Sequence, residues 1–215
     1  RYITPDSLGP KVVAKILVTR HIRDTLSDKI DDSVASVAAI APGVMGITGI
    51  ETAEILKGII ERIKPDAVIA IDALAARRTS RINSVIQIAD SGISPGSGVG
   101  NKRMLLNEES LGVPVIGIGV PTVVSAATLV NDSMERILSA MAEASEEKLF
   151  YNTLNNLGDE REALIAELLE PYAENMFVTP KEVDEVIERL AEIISNAINI
   201  AVHPALTKED INKYV

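Results

Sequence analysis

The sequence predicts a single-domain α/β fold, a three-layer α/β/α sandwich with a helical C-terminal extension. Two observations lead to this prediction. Three short, nearly continuous apolar runs are interleaved with segments of helical periodicity, which is typical of strands whose sheet is covered on both faces. Residues 159–202 show helical periodicity alone. We therefore expect one domain over residues 1–215, with a sheet-and-helix core over about 1–145 and C-terminal helices after it.

The first predicted helix covers residues 7–22, an amphipathic segment whose N-cap lies near Thr4 or Pro5. Asp6 then falls in the first turn, where the positive end of the helix dipole stabilises a carboxylate. Residues 31–46 form a small-residue apolar run that closes on a Pro-Gly pair. This run predicts a short strand followed by a turn.

The most clearly patterned helix of the N-terminal half covers residues 48–65. Thr48 and Glu51 have the spacing of a capping box, and Pro65 ends the periodic pattern. One face of this helix carries its large apolar residues, which are Ile50, Ile55, Leu56, Ile59, Ile60 and Ile63.

The predicted buried strands are the apolar runs at residues 67–71, 85–89 and 115–120. The second half of the chain adds predicted helices at 122–144, 159–172 and 180–202. Thr179 and Glu182 have the spacing of a capping box before the last of these helices. The residues between 144 and 159 indicate a loop or a weak helix.

The composition narrows the possible functions. The 215 residues include 21 basic and 31 acidic side chains, for a formal net charge of −10. Direct nucleic-acid binding usually requires a basic excess, and the cluster Arg77, Arg78 and Arg81 is too small to supply one. The absence of cysteine excludes disulfides, thiol nucleophiles and thiolate metal sites. No apolar run reaches the roughly 18 residues of a membrane span. We expect a cytoplasmic protein that contacts neither nucleic acid nor membrane directly.

The apolar run at residues 67–71 stops at a carboxylate, Asp72. Ligands of open α/β sheets bind beyond the carboxyl ends of the strands, and Asp6, on a helix that packs on the sheet, can converge there. Two carboxylates in a partly dry cleft do not both ionise easily, so their pKa values separate, as a general acid/base pair acting on an amide requires. An aspartate at a strand end also serves as a cap, turn former or ion-pair partner. Spacing alone leaves these interpretations open.

Residues 91–102 contain four glycines and raise the possibility of a phosphate-binding loop. The spacing does not match the nucleotide-binding P-loop, because Asn101 separates the last glycine from Lys102 and Arg103 occupies the hydroxyl position. The even glycine spacing does not match the dinucleotide fingerprint either. We interpret the segment as a connecting loop or as a loop that shapes a neighbouring site.

The only histidines are His21 and His203. A serine triad would need one of them, but no Gly-x-Ser-x-Gly elbow is present. No spacing typical of a histidine metal site is present either, so we predict no metal and no cofactor. We expect His21 to lie in the core or at a helix end, and His203 to be exposed.

Seven motifs occur in one order between Thr4 and Glu188: "TPDSLGP", "LVTRHI", "APGVMGITGIETAEI", "PDAVIAIDALAAR", "IQIADSGISPGSGVGNKR", "LGVPVIGIGVPTVVSAAT" and "VTPKEVDEVIE". Together they resemble the germination protease family of endospore-forming bacteria. The resemblance implies an endopeptidase that degrades small acid-soluble spore proteins during germination, in the forespore and spore core. It also implies a zymogen, a homotetramer and a phosphorylase/hydrolase-like fold, similar to that of the hydrogenase-maturation proteases.

The same resemblance implies an unusual aspartic peptidase with two essential aspartates, which match Asp6 of "TPDSLGP" and Asp72 of "AIDALAAR". Asp6, near a helix N-terminus, is the better candidate for the ionised base, and Asp72 for the protonated acid. The chain differs from the family in two respects. It lacks the long segment that precedes the first motif, and the region after Ser145 is shorter than expected.

Two other functions remain possible from the sequence. A protease of maturation type would bind a metal through Asp6, Asp72 and a histidine. A non-catalytic oligomeric binding protein would use its acidic surface for docking, and it would not need the two aspartates to approach each other.

Overall fold

The fold is mixed α/β, built on a small open sheet. The structure, a computed structural model, describes residues 4–26, 34–96, 103–144, 158–173 and 176–211. Within these ranges the strands are β1 (Val68–Ala76), β2 (Gln87–Ala89), β3 (Val115–Ser125) and β4 (Phe177–Val178). β3 lies at the centre, parallel to β1 and antiparallel to β2 and β4.

The chain enters the described structure through a 3₁₀ turn, Thr4–Asp6, here called the first turn. The α-helices that follow are α1 (Leu8–Val13), α2 (Arg20–Leu26), α3 (Met45–Thr48), α4 (Thr52–Ile63), α5 (Glu108–Leu111), α6 (Ala126–Ala144), α7 (Gly158–Ala173), α8 (Val183–Val202) and α9 (Lys208–Ile211). A second 3₁₀ turn covers Thr79–Arg81. No helix in the described part of the chain is long and apolar enough to cross a membrane.

The three predicted strands are present with different bounds. β1 and β3 extend past the apolar runs at 67–71 and 115–120, because each satisfies the backbone groups of the other over a long parallel ladder. Residues 85–89 contribute only three residues to the sheet, in antiparallel pairing. The prediction that Asp72 ends its strand is therefore wrong, since Asp72 lies in the middle of β1.

The single helix predicted at residues 7–22 is divided into α1 and α2. The side chain of Asn199 in α8, only 1% exposed, accepts a hydrogen bond from the backbone N–H of Leu17 at 2.9 Å. It also donates to the carbonyl oxygen of Lys15 at 3.0 Å. These bonds replace the helical hydrogen bonds of the segment between α1 and α2. The N-cap of α1 is Ser7 and not Thr4 or Pro5 as predicted, so Asp6 lies in the first turn, ahead of α1.

Both predicted capping boxes are wrong. The helix predicted at 48–65 begins as α4 after Glu51, whose backbone N–H donates to the Glu54 side chain at 3.2 Å, while Thr48 belongs to α3. It ends before Pro65 as predicted. Thr179 does not cap α8, because its Oγ1 donates to the carbonyl oxygen of Thr122 in β3 at 2.9 Å.

Other corrections concern shorter segments. Residues 34–44 form no strand in the structure, and the backbone N–H of Thr19 donates to the Val37 carbonyl oxygen at 3.0 Å. The strand at β3 continues to Ser125, so the helix predicted from residue 122 begins later. The segment predicted as loop or weak helix lies mostly at residues 145–157, outside the described residues.

Two clusters of buried side chains lie on the opposite faces of the β1–β3 ladder. One cluster joins α1 and α8 to the sheet and includes Leu8, Val12, Ile118, Val120 and Ile187. The other joins α4 and α5 to the sheet and includes Ala53, Ile60, Ala70, Leu111 and Val115. Strand alternation places Asp72 on the same face as Ala70, the face of the second cluster.

The prediction for His203 is wrong. This residue follows α8 and is 0% exposed, with Nε2 3.3 Å from the carbonyl oxygen of Leu17. The pairing is possible because Leu17 lies in the segment that Asn199 also binds. His21 lies near the start of α2, as expected for a helix-end histidine, and its surface is exposed.

Candidate active site

Asp6 is placed by contacts between the first turn and the sheet. Thr122 is fully buried in β3, and its Oγ1 donates to the carbonyl oxygen of Pro5 at 3.1 Å. A few residues later, Gly9 of α1 packs directly on β1. A Cβ atom added there would lie 2.9 Å from the carbonyl oxygen of the residue before Asp72. These contacts hold Asp6 beside the part of β1 that carries Asp72.

Asp72 is half-buried in β1, opposite Gly119 of β3. Its carboxylate accepts hydrogen bonds from the backbone N–H groups of Ala73 and Gly96. Gly96 has a positive φ of 69° and is the last described residue of the glycine-rich segment, of which residues 97–102 lie outside the described part. The described end of the glycine-rich segment therefore supplies a hydrogen-bond donor to a candidate catalytic acid.

The two carboxyl groups titrate in one electrostatic environment. Burial raises the pKa of Asp72 to about 6, and the charge of Asp6 adds to this rise. The hydrogen bonds from Ala73 and Gly96 and the positive charge of Arg103 oppose it. Partial removal from water also raises the pKa of Asp6, although the residue as a whole remains exposed, and Arg103 again opposes the change. A pair of this kind can hold one proton and one negative charge.

Arg103 was not among the residues predicted from the sequence. It follows the glycine-rich segment, is half-buried, and acts electrostatically on both aspartates. The sequence contained one signal for it, because the glycine-rich motif ends in a Lys-Arg pair. No local pattern reveals that the charge of this arginine acts on carboxylates of two other elements.

In the part of the chain that the structure describes, no group of three or more histidines, aspartates and glutamates is arranged to hold a metal ion. His203 is held by the segment after α1, as described above.

The comparison with known proteins adds independent information. The family model described as germination protease matches residues 1–152 and 139–215. This chain belongs to the germination protease family. The two matched parts overlap at residues 139–152, in the region where the sequence indicates a shortened segment after Ser145.

Curated relatives agree with this assignment. The chain is 56% identical over 215 residues to a germination protease of Clostridium perfringens strain 13, an alignment that covers 99% of this chain and 66% of the relative. It is 53% identical over 213 residues to one from Caldanaerobacter subterraneus, covering 98% of this chain and 66% of the relative. It is 43% identical over 244 residues to one from Bacillus subtilis strain 168, covering 99% and 66%. The chain thus spans 66% of the length of these relatives.

Proposed function

We propose that this chain is an endopeptidase of spore germination that cleaves peptide bonds with water activated by Asp6 and Asp72. The observation that carries this proposal is that burial, and after it the charge of Asp6, raises the pKa of Asp72, although the two aspartates come from elements far apart in sequence. Membership of a peptidase family supports the reaction class. The residues that match the family motif are also the ones whose pKa values are raised by burial.

In the proposed mechanism, ionised Asp6 accepts a proton from water as the water oxygen attacks the scissile carbonyl carbon. Protonated Asp72 donates its proton to the carbonyl oxygen, and a neutral tetrahedral diol results. The diol then collapses: the carbon–nitrogen bond breaks, the amine takes the proton held by Asp6, and Asp72 recovers its proton from the second hydroxyl. The pKa of about 6 favours Asp72 as the acid, because Asp72 carries the more strongly raised pKa of the two.

The proposed substrates are the small acid-soluble spore proteins, and the proposed compartment is the cytoplasm of the forespore and the spore core. The net charge of −10 supports contact with the protein substrate rather than with DNA. We further propose the homotetramer, the zymogen stage and the three-layer sandwich of the family for this chain. The two buried clusters on opposite faces of the β1–β3 ladder support the layered arrangement.

The test is a cleavage assay on a purified small acid-soluble spore protein, with Asp6→Asn and Asp72→Asn as variants. Each substitution is expected to lower kcat/KM at least 100-fold, as general acid/base residues contribute about 10²- to 10⁴-fold. Asp66→Asn is the matched control, because Asp66 is exposed just before β1. An Asp72→Asn protein with full activity would refute the acid-pair mechanism. Loss of activity on adding a chelator, restored by a divalent metal, would favour a metallopeptidase instead.

A further inference from the structure

The row of residues that contains Asp72 crosses three strands of the sheet. Asp72 in β1 pairs with Gly119 in β3, and Gly119 pairs with Gln87 in β2. Residues paired directly across neighbouring strands point their side chains to the same face of a sheet. Gln87 therefore shares the face of Asp72, at a separation of about 10 Å, or two strand spacings. These three positions are called the acid row below.

The centre of the acid row is occupied by a leucine from β1. A Cβ atom added at Gly119 would clash with Cδ1 of Leu74 and would lie 2.9 Å from its Cγ. Leu74 comes two residues after Asp72, so it points to the same face and leans over Gly119. Leu74 is only partly buried, so some of its apolar surface is accessible. A carboxylate, an apolar side chain and a carboxamide thus follow one another along the acid row.

The rows on either side of the acid row are covered. One of them contains Gly117, where an added Cβ atom would lie 2.6 Å from the carbonyl oxygen of Gly92. Gly92 has a positive φ of 84°, and a Cβ atom there would clash with the carbonyl oxygen of Leu106. The other row contains Pro121, which is fully buried. The acid row therefore lies as an accessible track between two closed rows.

Gln87 presents a free carboxamide at the far end of this track. The residue is exposed, and in the part of the chain that the structure describes its side chain has no hydrogen-bond partner. A carboxamide supplies an acceptor oxygen and two donor hydrogens, which match the N–H and C=O groups of a peptide main chain. Because the carboxamide is uncharged, it suits a main-chain amide better than a charged side chain.

We propose that Gln87 hydrogen-bonds the main chain of an extended substrate segment whose scissile bond lies at Asp72, with Leu74 in contact with the substrate between them. The proposal rests on the acid-pair function above and names a substrate-binding residue for it. An extended chain rises about 3.4 Å per residue, so a separation of about 10 Å corresponds to about three residues. The substrate residue that Gln87 contacts is therefore about the third from the scissile bond.

Cleavage of an intact small acid-soluble spore protein by Gln87→Met tests the hydrogen bond. Methionine keeps the length of glutamine but lacks its amide donors and acceptor. The kcat/KM is expected to fall about 2- to 10-fold, the usual effect of losing one neutral hydrogen bond, and the change should appear mainly in KM. Ile88→Ala is the matched control. Ile88 is the next residue of β2, is 70% exposed and pairs with Ile118 of the first core cluster, so it points to the opposite face. Its variant is expected to keep the wild-type kcat/KM.

Peptide substrates of different length locate the contact. Peptides with four residues on each side of the scissile bond should show the full difference between wild type and Gln87→Met. A peptide cut back to two residues on the side that Gln87 binds lacks the main-chain groups in its reach, so both proteins should cleave it equally. An effect of Gln87→Met that stays the same after shortening on either side would overturn the proposal, because the residue would then act only through the stability of the sheet.

A binding measurement separates this proposal from the peptidase function. Gln87 is the only glutamine of the chain, so labelling with nitrogen-15 glutamine gives a single pair of side-chain amide signals. Saturating the Asp72→Asn protein with the spore protein, with binding followed by calorimetry, is expected to shift this pair.

The outcomes separate the two claims. Binding that leaves the Gln87 signals unmoved, or a Gln87→Met protein with wild-type kcat/KM, would overturn the role of Gln87 and leave the peptidase function standing. Shifted signals in a chain that does not cleave the spore protein would support main-chain binding and refute the peptidase function. A chain that neither binds nor cleaves the spore protein would refute both.

Discussion

Replacing Asp72 with asparagine should stabilise the protein while abolishing its activity. The pKa of Asp72 is raised from 3.8 to about 6 in the folded state, so the ionised side chain opposes folding. A rise of roughly 2.2 pKa units corresponds to about 3 kcal/mol at neutral pH. Because Asp72 is half-buried and partly solvated, about 3 kcal/mol is an upper value. Asparagine removes the charge, and its side-chain carbonyl oxygen can still accept hydrogen bonds from the backbone N–H groups of Ala73 and Gly96.

The stabilisation by Asp72→Asn should depend on pH, because the pKa of Asp72 is raised in the folded state. The ionised form is penalised in the folded state, so the penalty is complete above about pH 6. As the pH falls toward the unfolded value of 3.8, the folded carboxyl gains its proton first and the penalty disappears. At pH 4.5 about 1 kcal/mol of the penalty should remain. The advantage of Asp72→Asn should therefore be large at pH 7.5 and small at pH 4.

Urea unfolding of wild type, Asp72→Asn and Asp66→Asn at pH 7.5, 4.5 and 4 measures these free energies. Asp66 is exposed, so its variant should differ from wild type by less than about 0.5 kcal/mol. The reasoning would be refuted if Asp72→Asn were less stable than wild type at pH 7.5, or if its effect did not change with pH. Either result would mean that the carboxylate is stabilised in place and that its pKa is not raised.

Three further substitutions test the contacts that build the site. Gly9→Ala should destabilise the fold and lower kcat/KM at least 10-fold, because its Cβ would lie 2.9 Å from a carbonyl oxygen of β1. This clash should outweigh the preference of a helix for alanine over glycine, which is about 1 kcal/mol. Thermal unfolding measures the loss of stability and peptide cleavage measures the loss of activity. Gly92→Ala should cost more than about 2 kcal/mol, whereas Gly112→Ala, with similar positive φ but open space, should cost about 1 kcal/mol in the same urea assay. Equal losses at these two glycines would mean that the close packing of Gly92 against the Leu106 carbonyl oxygen does not contribute. Glu188→Gln should cost less than about 1 kcal/mol at pH 7, because its contacts with two lysines of the α1 region lie at the surface. Those contacts lower the pKa of Glu188 from 4.5 to about 2. Their contribution to the free energy of unfolding should therefore be complete above pH 4.5 and be lost as the pH falls toward 2.

The sequence was most informative where the structure is determined locally. The apolar runs of β1 and β3 identified the central strands, because a strand buried on both faces needs a continuous apolar sequence. Asp6 and Asp72 were singled out from the same local patterns. The register that places Asp72 in the middle of β1 depends on the length of its partner strand, and no local pattern contains that information.

Long-range contacts account for the main errors. The helix predicted at residues 7–22 is divided because Asn199, far along the chain, binds the backbone of Lys15 and Leu17. The same contact region buries His203, which the sequence predicted to be exposed. Arg103 was missed because the two carboxylates on which its charge acts lie on the first turn and on β1, and no local pattern links it to them.

The pH dependence of kcat/KM between pH 4 and 8, for the whole chain on a small acid-soluble spore protein, tests the central claim most directly. An acid pair with ionised Asp6 and protonated Asp72 predicts a bell-shaped profile whose alkaline limb has its midpoint near pH 6. Asp72→Asn should remove the activity across the whole range. Rates that keep rising from pH 6 to 8, or an Asp72→Asn profile that matches the wild type, would contradict the account.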